Sequence, residues 1–185
     1  MMIYNRDGDT DEEDSCAEPF VAGEEPLIGL VGDINEEAAQ QVALMLLTFN
    51  GGKVLNTEPQ EERPEDLEFF ISSSGGNVSE MFTIYDLMCL IKKRRDIATF
   101  GYGKISSAAV PLLAGGTDGK RYMAKNARLM LHHCATAASG AEPSIRSSFN
   151  ELKKVEEMMV EVLAANTKLS SGEIYNILSR NTDEY

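Results

Sequence analysis

The chain has 185 residues, 43% of them apolar, which is enough to build one domain around a packed core. Its formal net charge of −13 excludes the basic footprint of a nucleic-acid binder and any attraction to an anionic membrane surface. No apolar run approaches the roughly 20 residues of a membrane span, and the acidic N-terminus lacks a basic-plus-apolar signal pattern, so a cytoplasmic location is expected. The three cysteines, Cys16, Cys89 and Cys134, are too few and too scattered for a disulfide framework and read as free thiols.

Residues 1–25 carry Asp7, Asp9, Asp11, Glu12, Glu13 and Asp14 close together. Like charges repel, and little apolar surface offsets the entropy of ordering, so this stretch reads as a mobile tail preceding one domain over 26–185. Leu27 to Val31 reads as a buried-type strand. Asp33 or Asn35 caps the next helix, with Ala38, Val42, Met45 and Leu46 as its apolar face. Residues 50–66 read as a loop and Leu67 to Ile71 as a strand. Gly75-Gly76-Asn77 turns the chain into a second helix, on which Val78, Met81, Phe82, Tyr85 and Met88 recur at helical spacing. Ile97 to Phe100 is the next strand, Ser107 to Ala114 a short helix, and Tyr122-Met123 and Arg128 to His132 two further strands. A long helix follows, with Leu152, Val155, Met159, Val162 and Leu163 along one side. Strands alternating with helices predict an α/β domain of βαβ units, whose strand-to-helix turns gather at one sheet edge.

Two turns at that edge carry chemistry. Gly103-Lys104-Ile105-Ser106-Ser107-Ala108-Ala109 crowds small residues around a serine, and Leu129-Met130-Leu131-His132-His133 delivers a histidine from an apolar run. A serine hydroxyl needs a base to take its proton, and His132 and His133 are the only histidines in the chain. The N–H groups of Ala108 and Gly76 are candidates to hold an oxyanion. A third group must fix the imidazole tautomer; Asn181 and Asp183 are available, and spacing does not choose between them.

Other chemistries fit less well. Gly75-Gly76 lacks the pattern of a phosphate loop. His132 and Cys134 would share one strand face, but no second His or Cys cluster completes a zinc site. Their spacing of about 7 Å is too long for His132 to activate the Cys134 thiol directly. No metal and no cofactor is expected.

From about Leu27 onward the sequence resembles the proteolytic-subunit (ClpP) family of ATP-dependent Clp proteases. The resemblance rests on Asp66 to Asp86 with Gly75-Gly76, Val78 and Ile84-Tyr85-Asp86, on Gly103 to Ala109, on Gly119-Lys120-Arg121-Tyr122, and on Asn126 to His132. It implies a crotonase-like βαβ spiral head and a protruding long handle over about 135–166, its helix being 145–166. It implies Ser107 as nucleophile, His132 as base, and Gly76 and Ala108 as oxyanion donors. Asp183 completes the triad if two residues are inserted upstream, whereas an ungapped alignment places Asn181 there.

The resemblance further implies a serine endopeptidase acting on unfolded polypeptide in a chamber of paired seven-membered rings, a homo-oligomeric tetradecamer. An AAA+ unfoldase feeds the chamber and alone uses ATP. The handle stripe of Val155, Met159, Val162 and Leu163 is then expected to be covered by a partner subunit. The alternative is a catalytically weak structural ring subunit that assembles with an active paralogue. The sequence departs from the family at several places. Lys104 stands for the usual Gln, Pro111 enters the first helical turn, and His133-Cys134 stands where Gln-Pro is usual. The tail is acidic, and the sequence stops at Tyr185, where the family usually continues. A divergent copy of this kind suits a viral or accessory protein, which would act in a host cytoplasm.

Overall fold

A computed structural model describes residues 27–50, 65–135 and 137–179; the acidic tail, Asn181 and Asp183 lie outside them. The elements in chain order are β1 (Leu27–Val31), α1 (Glu36–Phe49), β2 (Leu67–Ser73), α2 (Val78–Ile91), β3 (Ile97–Ser106), α3 (Ala109–Ala114), β4 (Arg121–Met123), β5 (Arg128–Met130), α4 (Glu142–Asn166) and α5 (Ser171–Leu178). The sheet runs β1-β2-β3-β4, and every pairing is parallel. This is the α/β architecture that the alternation predicted. Parallel strands must be joined by crossovers, so strand-to-helix turns collect along one edge.

The long strand β3 is shared by two short ones. Its Thr99–Gly101 stretch pairs with β4, and its Lys104–Ser106 stretch pairs with β5. The expected strand end at Phe100 falls short, because Gly101 and Gly103 do not break the strand. Against β2, Ile71 pairs with Gly101 but Ser73 pairs with Ile105, so β3 accommodates two extra residues. Gly103 absorbs this irregularity at φ +62°, a conformation that costs glycine little. The strand continues to Ser106 and delivers Ser107 at its end.

Capping explains where the helices start. Asn35, rather than Asp33, accepts the Ala38 N–H at 2.9 Å, and Asn77 accepts from Ser79 and Glu80. In α1 the core face is Ala39, Val42 and Leu46, and the expected Met45 points outward, 40% exposed. α2 sinks Met81, Ile84, Met88 and Ile91 into the same buried cluster as Phe69, Ile71, Ile97 and Ile105 of the sheet. The helix α5 was not anticipated, although its start carries the Ser-x-x-Glu signature. Ser170 Oγ accepts the Glu173 N–H while Glu173 Oε2 accepts the Ser170 N–H.

At 25 residues, α4 is about 37 Å long. Its two halves differ. Met159, Val160 and Leu163 lie in the subunit's own core, none more than 3% exposed. The expectation that Met159 and Leu163 await a partner subunit is therefore wrong; the head covers them. The large apolar residues α4 leaves in the open are Ile145, Phe149 and Met158. Arg121, itself buried, secures the far end by donating to the last carbonyls of α3 (Ala114) and α4 (Asn166). Among the described residues no helix is long and apolar enough to cross a membrane.

Candidate functional site

Ser107 leaves the end of β3 at φ +53°, the only positive φ outside glycine among the described residues. A β-substituted residue pays for that conformation, so the surroundings must impose it. They do so through hydrogen bonds on both sides. The Ser107 N–H donates to the Met130 carbonyl at 2.9 Å, and the Ser107 carbonyl accepts the Val110 N–H at 3.0 Å. Ser106 is buried in the sheet, 7% exposed, whereas Ser107 is only half-buried. Of the two serines, Ser107 is therefore the one within reach of a ligand. Its hydroxyl makes no hydrogen bond among the described residues.

The same contact brings His132 to this edge. Met130, which takes the Ser107 N–H, closes β5, and Ser106 pairs with Met130 in register. Because β3 and β5 are parallel, both chains leave the sheet at the same end, with Ser107 one residue beyond its strand and the half-buried His132 two beyond its own. The expected strand stops at Met130 rather than at His132.

The glycine turn touches this serine directly. A methyl group added at Gly75 would meet the Ser106 carbonyl at 2.6 Å, the Ser107 Cβ at 2.7 Å and the Ala108 nitrogen at 3.0 Å. Only glycine permits so close an approach, and Gly75 also sits at φ +93°. Sequence reading singled out Gly76 for its N–H; that Gly75 carries the contact is visible only in three dimensions. Gly76 is in turn held by a bridge to Ile34, whose N–H bonds the Gly75 carbonyl and whose carbonyl takes the Asn77 N–H, each at 2.8 Å. Neither the Gly76 N–H nor the Ala108 N–H has an acceptor among the described residues. Ser107, His132, Gly76 and Ala108 thus gather at one sheet edge, while Asp183 and Asn181 fall outside the described residues.

A cleft of about 480 Å³ adjoins this edge, lined by Val78, two residues past Gly76, by Cys134, two past His132, and by Leu152 and Val155 of α4. A second, mostly apolar cleft of about 430 Å³ lies between α3, β4 and α5; neither cleft is lined by Ser107 or His132, and the first is the one whose walls include residues just past Gly76 and His132. On its wall, burial and then the neighbouring Glu156 carboxylate push the Cys134 thiol up to about 11. It stays protonated at neutral pH and is no nucleophile there. Glu156 also meets His133, at 2.8 Å from Nδ1, and accepts the Cys134 N–H at 3.2 Å.

A serine at a strained strand-to-helix turn of a parallel sheet, close to a histidine and to open N–H groups, is a layout used by serine hydrolases of α/β type. The family model for Clp protease matches residues 21–183, and the chain belongs to the Clp protease family. That family consists of serine peptidases that generally form oligomeric rings and work with unfoldase partners.

Proposed function

We propose that this chain is a serine endopeptidase subunit that cleaves unfolded polypeptide inside an oligomeric chamber supplied by an AAA+ unfoldase. The observation that carries this reading is the hydrogen bond from the strained Ser107 to Met130, which tethers the serine beside the segment bearing His132. Ser107 Oγ attacks the peptide carbonyl as His132 takes its proton, and His132 then gives a proton to the leaving amine. The N–H groups of Gly76 and Ala108 receive the oxyanion. Asp183 orients His132 and stabilises its imidazolium. Water then hydrolyses the acyl-enzyme. Hydrogen bonds of this kind often tighten only when substrate binds, which suits the unengaged Ser107 hydroxyl. No cofactor enters this scheme, and ATP use falls to the unfoldase.

A fluorophosphonate is expected to form one adduct, mapped by mass spectrometry to Ser107. No adduct in the assembled protein would favour the structural ring subunit instead.

For assembly we propose paired seven-membered rings that meet through α4, whose Phe149 is 53% exposed one turn beyond the exposed Ile145. Phe149→Glu is expected to halve the assembled mass in light scattering without lowering the thermal midpoint. Met159→Glu, 1% exposed in the subunit's own core, is expected to unfold the head, since an unpaired buried charge is among the costliest substitutions. The opposite pattern would place the interface elsewhere.

A further inference from the structure

Among the described residues, the chain just past His132 makes few hydrogen bonds. Residues 132–135 and 137–139 form neither helix nor strand, and residues 135 and 137–141 are exposed. Between His133 and Ser139 the only hydrogen bonds among the described residues run to one carboxylate. Glu156 Oε2 accepts the Cys134 N–H at 3.2 Å and lies 2.8 Å from His133 Nδ1.

We propose that Glu156 is a positioning residue for His132: its carboxylate clamps the two residues immediately downstream to α4 and so fixes the backbone from which the imidazole projects. This rests on the reading of His132 as the general base.

His132 then lies between two anchors. Upstream, Leu131 is 7% exposed in the core, and the Met130 carbonyl holds the Ser107 N–H. Downstream, the Glu156 clamp begins at the very next residue. The anchor point is itself firm. The Glu156 side chain is 19% exposed and stands three residues before Met159, where α4 enters the core. A backbone N–H donated to a carboxylate is stronger than one donated to a neutral oxygen. Without the clamp, the backbone of His133 and Cys134 regains freedom about several dihedrals. Displacing a reacting group by 1 Å can cost about 10² in rate.

Two gentle variants separate position from charge. Glu156→Gln keeps an oxygen at the same reach but removes the charge. Glu156→Asp keeps the charge but withdraws the oxygen by one methylene. For the assembled full-length protein acting on a fluorogenic peptide, Glu156→Asp is expected to lower kcat and the fluorophosphonate labelling rate by roughly 10- to 100-fold. KM should stay within about threefold, and Glu156→Gln should keep kcat within about fivefold of wild type, since the displaced group is the base and not the substrate pocket. Labelling of Glu156→Asp at the wild-type rate overturns the proposal. So does the reverse ranking, which would make the charge the active feature, or a change confined to KM, which would make Glu156 a wall of the cleft. Equal loss in both variants with a lowered thermal midpoint overturns it in favour of a purely structural role. The serine-peptidase reading fails separately, if wild-type protein carries its adduct away from Ser107 or if Ser107→Ala still cleaves.

Discussion

Ser107→Ala is expected to lower peptide cleavage by about 10⁶-fold, the scale on which serine peptidases fall when their nucleophile is removed, and to abolish fluorophosphonate labelling. The loss follows from the covalent route: without Oγ no acyl-enzyme forms, and only binding and the oxyanion donors remain. The variant should assemble to the same mass. Alanine keeps the β-carbon that already tolerates φ +53°, and the hydroxyl it deletes has no hydrogen-bond partner among the described residues. Ser106→Ala is the control. Ser106 is buried between its strand neighbours, so it should retain both labelling and turnover. A labelled Ser106 in the wild-type protein would shift the proposed site by one residue.

Asp183→Asn is expected to lower turnover by about 10⁴, the size of effect known for losing a triad carboxylate. The neutral amide can still hold a ring nitrogen, but it offers no charge to the imidazolium that forms as Ser107 attacks, and it allows the wrong tautomer. Asn181→Ala should change turnover far less. Measuring kcat/KM for both variants decides between the two residues that sequence spacing left open; the reverse ranking would put Asn181 in the triad and remove the assumed insertion.

Much of this candidate site is legible in the sequence because such chemistry places its demands on rare residue types. Glycine pairs mark backbone that must turn sharply, small residues mark crowding around a serine, and two adjacent histidines leave little choice of base. What escaped depends on distance between segments. Gly101 and Gly103 look like strand breakers, yet pairing with β2 and β5 carries β3 through an irregular register to Ser106. The helical period shows that α4 has an apolar face. It cannot tell whether that face meets the subunit's own core or a neighbour, which is why Met159 and Leu163 read as residues for a partner subunit although α3 and α5 lie beside α4. Glu156 is chemically the same as Glu157 and Glu161 until the fold lays the chain after His132 beside it. The α5 cap, by contrast, was readable from Ser170 and Glu173 alone.

The backbone at Ser107 also bears on how such a chain drifts over generations. Holding a non-glycine residue in a sparsely populated conformation costs about 1–3 kcal/mol, and glycine at this position would recover part of it. Most proteins sit only a little above the stability they need. Selection for stability alone would therefore favour glycine here, and the hydroxyl that the exchange deletes has no hydrogen-bond partner among the described residues. Under the proposed function, what opposes it is use of the hydroxyl. A lineage that had given up cleavage would be free to relax this turn, so under the proposed function a glycine at this position in a related chain would mark one that no longer cleaves.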